Sequence, residues 1–227
     1  MPTVIDKIVG GFPFPTISPI IGAPNYETIA EVHLKLNSNA NSIQLNLGCG
    51  TLSLLYLTVS PSVYATLSAT AFIAPVKPSA NPTIPSITSG PQITNLWCAH
   101  DVATPAFNEY EQTDKALRQI IIAAVDEMFV RSLRHRYVGY GTTTTCTILD
   151  HLYATYAKIS SADLQDNNPR LRAPYDANFL IGGLIDQVEG TVEYAASGNT
   201  PYTPLQVVSI AYQLLFQTGI FTNYCKH

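Results

Sequence analysis

The sequence predicts an all-α protein, on two observations, with one region left open. The apolar residues Leu117, Ile120, Ile121, Ala124, Met128 and Phe129 recur at i, i+3, i+4 spacing, a stripe wide enough for a core-facing helix. Helix-start signals punctuate the chain, the clearest being Thr203-Pro204-Leu205-Gln206, with capping-box spacing and proline in the first turn. The apolar spacing alternates at Ile43, Leu45 and Leu47 and then becomes continuous, so residues 41–59 fit either short helices or strands.

Taken in order, residues 1–24 carry a Pro-rich stretch without periodicity and are expected to form an extended arm. Asn25 caps a helix with an early Glu27 and the apolar series Ile29, Val32 and Leu36. Ser60-Pro61 starts a further helix, closing an N-terminal helical part over 25–74. Residues 75–91 are proline-rich and read as a linker. The main helical region, 92–227, opens with a helix over 92–136, interrupted near Pro105 and ended by Gly139 and Gly141. A helix over about 144–158 follows, with Ile148, Leu149, Leu152, Tyr153 and Tyr156 on one face. After a polar stretch come helices over about 179–196 and from Thr203 to a stop at Gly219.

Composition excludes several classes. Twelve Lys+Arg against 16 Asp+Glu give a net charge of −4, which argues against a chain that coats polyanions over its whole surface. Charged residues make up 12% of the chain, about half the usual share, and Lys77 is the only one between Leu36 and His100. Such a stretch suits burial, a Ser/Thr/Pro-solvated loop or contact with another subunit. Leu52 to Val76 is long enough to span a bilayer, but it contains seven Ser/Thr and the Ser60-Pro61-Ser62 helix start, so no membrane span is expected. No secretory signal is read at the start, and Cys49, Cys98, Cys146 and Cys225 never form C-x-x-C. Reduced thiols in the cytoplasm are the expectation.

Chemistry-bearing patterns are sparse. The histidines form no H-x-x-x-H pair, and Cys225 with His227 reads as a chain end, so no metal or other cofactor is expected. Cys146 and Asp150 are helix neighbours, whereas His151 is turned away from the thiol, and no enzyme or small-molecule substrate is expected. "GCG" at 48–50 lacks the residues that would cradle phosphate, and Asp126-Glu127 is a solvated pair. Neither D-[ST]-G nor Y-x-D-D occurs. The one concentration of positive charge is Arg131, Arg134, His135 and Arg136. It is a candidate contact for nucleic acid or a neighbouring subunit. On the expected helix these residues occupy the last turns, where cations complement the helix dipole; that role or a subunit contact is favoured over RNA.

The run "ALRQIIIAAVDEMFVRSL", then "TTTTCTILDHLYATYAKIS", then "LIDQVEGTVEYAASGNTPYTPLQVVSIAYQLLFQTGIF" resembles the Gag polyprotein of copia-type LTR retrotransposons. Leu149, Leu152 and Tyr156 occupy that family's segment of the form A-x-x-x-W-x-x-L-x-x-x-Y. Val192-Glu193-Tyr194 and then Val207, Val208, Leu214 and Gly219 match the two segments that follow it. "YETIAEVHLKLNSNANSIQLNLGCGTLSLLYLTVSPSVYATLSA" is similar to the N-terminal Gag region of one branch, so the resemblance covers roughly 24–222. The sequence departs from the pattern at Leu149, where many copies have Trp, and at Gly182, Gly183 and Gly190 inside a helix. It also lacks the C-x2-C-x4-H-x4-C knuckle, which implies a truncated copy.

The resemblance implies a capsid-like multi-helix bundle of two small lobes. It also implies a homo-oligomer that builds a shell around element RNA, with RNA held only weakly or indirectly by this part. The alternatives are a free-standing all-α RNA- or protein-binding module and a non-functional relic.

Overall fold

A computed structural model describes residues 2–44, 52–86, 88–176, 178 and 180–219. Nine α-helices and two 3-10 turns occur among them, and no strand beyond an isolated bridge between His135 and Gly139. The fold class is all-α, as the sequence predicts. The chain divides into two units, Met1–Ala157 and Lys158–His227, each with its own core. The Pro-rich segment at 75–91 therefore lies inside the first unit.

In the first unit the N-terminal segment is not extended throughout. Residues expected to be extended throughout contain helix α1, Val4–Gly11, started by a capping box in which Thr3 Oγ1 accepts from Asp6 N and Thr3 N donates to Asp6 Oδ2. Its Ile5, Ile8 and Val9 pack on the core. The chain then runs in non-helical conformation, and buried Asn39 holds it by two bonds of 2.8 Å, accepting from Phe14 N and donating to Phe14 O. Each bond satisfies a backbone group that no helix partner serves.

Helix α2, Tyr26–Asn41, is capped by Asn25 and buries Ile29, Val32 and Leu36. The undecided region after it contributes a 3-10 turn, Leu55–Leu57, while residues 45–51, with two of the three alternating positions and the "GCG" triplet, lie outside the described residues. Ser60 caps α3, Pro61–Leu67.

Helix α4, Gly90–Ala124, differs from its expected form twice. It passes through Pro105 without interruption. Proline removes the donor to the carbonyl of Asp101, but Pro105 and Asp101 are both exposed, so water can serve that carbonyl. It also stops at Ala124 and does not reach 136. Val125 turns to extended backbone, Ile20 N donates to Ala124 O at 2.8 Å, and Asp126 starts the four-residue α5, Glu127–Val130, by accepting from Met128 N. Met128, assigned to the core stripe, is exposed, whereas Leu117, Ile120, Ile121 and Ala124 are buried. Helix α6, Thr145–Tyr156, buries Ile148, Leu149 and Leu152 against α2 and α4. Leu149 is 2% exposed, so this site holds a leucine within a packed core.

The second unit contains α7, Ser161–Leu171, α8, Gly182–Ser197, and α9, Pro204–Gln217. α7 lies in the stretch read only as polar; a Ser160–Asp163 capping box starts it. Leu171, Leu184, Val188, Ile210 and Leu214 form the core. Buried Asn167 donates to Thr191 O, and Gln187 donates to Arg170 O and Ala173 O, tying the end of α7 to α8. Gly182, Gly183 and Gly190 lie within α8 despite their cost of roughly 1 kcal/mol each. Thr203 caps α9 with Gln206, and Gly219 follows its end at φ +72°, the left-handed conformation glycine adopts freely.

Candidate functional site

The basic residues do not sit on the end of α4, which stops at Ala124. Arg131 begins a 3-10 turn, Arg131–Leu133, and Arg134, His135 and Arg136 lead into a tight turn. This turn is closed by two backbone bonds, His135 N to Gly139 O at 2.9 Å and Gly139 N to His135 O at 3.0 Å. Gly139 takes φ +58° to close it. Arg131 caps α5 and stands in the last turn of the 3-10 turn that continues it, so dipole compensation applies there, whereas His135 and Arg136 lie beyond it, and the last turn of α4 carries no basic residue. Arg134 is paired with Glu127 at 2.6 Å, both exposed. The guanidinium of Arg136 lies 5.6 Å from the ring centre of exposed Tyr137. Arg131 is exposed on the same loop. The structure brings the four together in sequence order, not as one helical face.

A cleft of about 440 Å³ opens elsewhere in the first unit, between the middle of α4, the segment entering α3 and the start of α6. Its apolar lining includes Tyr56, Val59, Phe107 and Tyr110. Its charges are Glu111, Asp114 and Asp150 against Lys115 and Arg118. Helical spacing along α4 explains the pairing of four of these: Glu111 meets Lys115 at 3.2 Å and Asp114 meets Arg118 at 3.3 Å, both i, i+4. Asp114 and Arg118 are buried, and both have further partners. Asp114 Oδ1 accepts from Thr145 N at 3.0 Å, filling the anion position at the start of α6, and Arg118 donates to Thr143 O.

Asp150, one turn into α6, accepts among the described residues from the Cys146 thiol, Sγ to Oδ2 3.7 Å. Burial pushes that thiol up to about 11, with the negative charges of Asp150 and Asp114 adding to it. Burial likewise pushes the Tyr110 hydroxyl up to about 12, again aided by Asp114. Both groups stay neutral at physiological pH. His151 is turned to the other side, within 3.0 Å of Phe129 O and 3.3 Å of Ser132 Oγ, so no base faces the thiol. Among the described residues no three His, Cys, Asp or Glu converge as metal ligands. Cys225 and His227 lie outside those residues.

Sequence reading gave no role to His33, which is half-buried beside α6. His33 Nε2 lies 2.9 Å from Thr58 O and must donate to it, so in the neutral ring Nδ1 accepts from the Tyr153 hydroxyl at 3.1 Å. Burial lowers its pKa, against the opposing effects of Thr58 O and Asp150.

Among the described residues, the second unit carries an exposed apolar helix face. On α9, Leu205, Val208, Tyr212 and Phe216 are 80%, 65%, 46% and 43% exposed and recur at three- and four-residue steps. They form one stripe, opposite the face through which Ile210 and Leu214 enter the core. α9 holds no charged residue. Ile181 and Ile185 add exposed apolar surface at the start of α8.

No helix among the described residues is long and apolar enough to cross a membrane. No family model, curated protein or solved structure matches the chain.

Proposed function

We propose that this chain is a structural, self-assembling protein of capsid type, whose copies associate through helical surfaces to build a shell, as its resemblance to Gag implies. The observation that carries this reading is the α9 stripe. A helix apolar on two opposite faces can satisfy only one of them within its own unit. The occupant of the outer face is a second copy of the same chain. The stripe is free of charge along its length, so two copies can meet without desolvating an unpaired ion. The low charge of 12% and the separate cores of the two units are consistent with repeated weak contacts. RNA, on this reading, is held weakly or indirectly, since the first unit offers one short basic loop on a chain of net charge −4. Electron microscopy of the purified chain at rising concentration tests the proposal. Regular particles or ordered oligomers are expected, and a uniformly dispersed monomer would count against it.

A second reading, an RNA-binding module, is favoured by one observation: the exposed Tyr137 carrying Arg136, a small basic and aromatic tip. Filter binding over a salt series separates the two, because phosphate contacts give a steep salt slope.

A further inference from the structure

We propose that the cleft between the middle of α4 and the start of α6 binds an organic cation, a guanidinium or ammonium group on an apolar stem. This is independent of the self-assembly reading, which concerns α9.

Three features of the cleft lead to that ligand. Its volume of about 440 Å³ lies within the roughly 300–1,000 Å³ typical of small-molecule pockets. Its lining includes three aromatic residues, Tyr56, Phe107 and Tyr110, which suit an apolar stem, and Tyr56 and Tyr110 are held in place by stacking on Phe72. Its charges leave a negative remainder. Lys115 answers Glu111, and Arg118 answers Asp114, but among the described residues no Lys or Arg pairs with Asp150, whose hydrogen-bond partner there is a thiol that cannot neutralise it.

An anion is disfavoured for a specific reason. The start of α6 would be the natural place for one, yet Asp114 already accepts from Thr145 N there. The neutral states of Cys146 and Tyr110 follow first from burial and then from the field of these same carboxylates, a field that attracts a cation. What separates this place from an ordinary solvated acidic face is the aromatic lining of the cleft.

The test is isothermal titration calorimetry of the full chain with agmatine, with n-pentanol as a neutral probe of similar stem. Saturable binding of agmatine without saturable binding of pentanol is expected. Asp150→Asn should weaken agmatine binding about tenfold, the value of a charge-assisted contact. Asp150 is exposed, so the variant keeps the fold. Asp186→Asn removes one charge from the second unit and should change nothing. Equal binding of agmatine and pentanol, or equal loss in the two variants, would overturn the proposal, as would no binding of agmatine. A capped Ala-Arg-Ala peptide binding as well as agmatine would assign the site to a protein-borne side chain. Agmatine binding alone would assign it to a free small cation. Failure here leaves α9 association untouched, and the converse also holds.

Discussion

Replacing Asp114 by alanine should be among the most damaging single changes in the first unit. Asp114 is 9% exposed, and its carboxylate accepts from Thr145 N at 3.0 Å and from Arg118 Nη1 at 3.3 Å. The substitution leaves an equally buried guanidinium without its counter-charge and removes an acceptor from the first turn of α6. Breaking a buried pair from one side costs about 3–5 kcal/mol. Arg118 keeps Thr143 O as a partner and borders an open cleft, so the lower end, about 3 kcal/mol, applies. With a urea slope of about 2 kcal/mol/M, the midpoint should fall by about 1.5 M. Trp97 is the chain's only tryptophan and belongs to the first unit, so its fluorescence follows that unit's unfolding. The companion variant Asp114→Leu with Arg118→Met removes both charges and should recover most of the loss. A drop in midpoint below about 0.5 M for the single variant, or a double variant no more stable than the single one, would refute the reasoning.

Two further perturbations probe other parts of the fold. Gly190 lies within α8 with no atom within 4 Å of where a Cβ would stand, so Gly190→Ala should stabilise the second unit by about 1 kcal/mol. Calorimetry should show its melting temperature rise by several degrees, and an unchanged or lowered value would contradict this. His33 titrates in the opposite sense to a paired histidine. Its folded-state pKa is lowered by burial, so its contribution to stability is complete above the ordinary value of 6.5 and is lost as pH falls through the depressed value. Between pH 7.5 and 5.5 the native chain should therefore lose more stability than His33→Gln does, in matched urea titrations. Parallel profiles would remove His33 as the cause.

The parts of this fold that were legible in sequence are those where local chemistry and packing agree. Asn25, Ser60 and Thr203 cap the helices they announce, and Ile29, Val32, Leu36, Leu149 and Leu152 are buried as their spacing predicts. Helix α1 was hidden because the prolines at 13, 15 and 19 dominate the reading of a segment whose first eleven residues are free of them after Pro2. α7 was hidden by composition, although Ser160 and Asp163 stand at capping-box spacing. The end of α4 depends on Ile20 reaching Ala124 from a distant part of the chain, and periodicity carries no trace of such a contact. The basic residues are displaced with it: they follow the break at Val125, at the end of the short α5 and in the turns beyond it, and not on α4.

The cleft was illegible for a similar reason. Its lining comes from segments near residues 56–61, 107–118 and 141–150, and none of these has a binding motif by itself. The Cys146–Asp150 neighbourhood was visible as helix spacing; the aromatic lining beside it was not. The unpartnered face of α9 was present in sequence as a helix apolar all round, but only the fold separates its core side from its free side.

The central claim is that the α9 stripe joins copies of this chain, and sedimentation velocity tests it most directly. The native protein should sediment faster as concentration rises, and Val208→Glu with Tyr212→Glu, both at exposed positions, should remain monomeric with unchanged circular dichroism. A native chain that stays monomeric at every concentration, or a double variant that associates as the native chain does, would contradict the account.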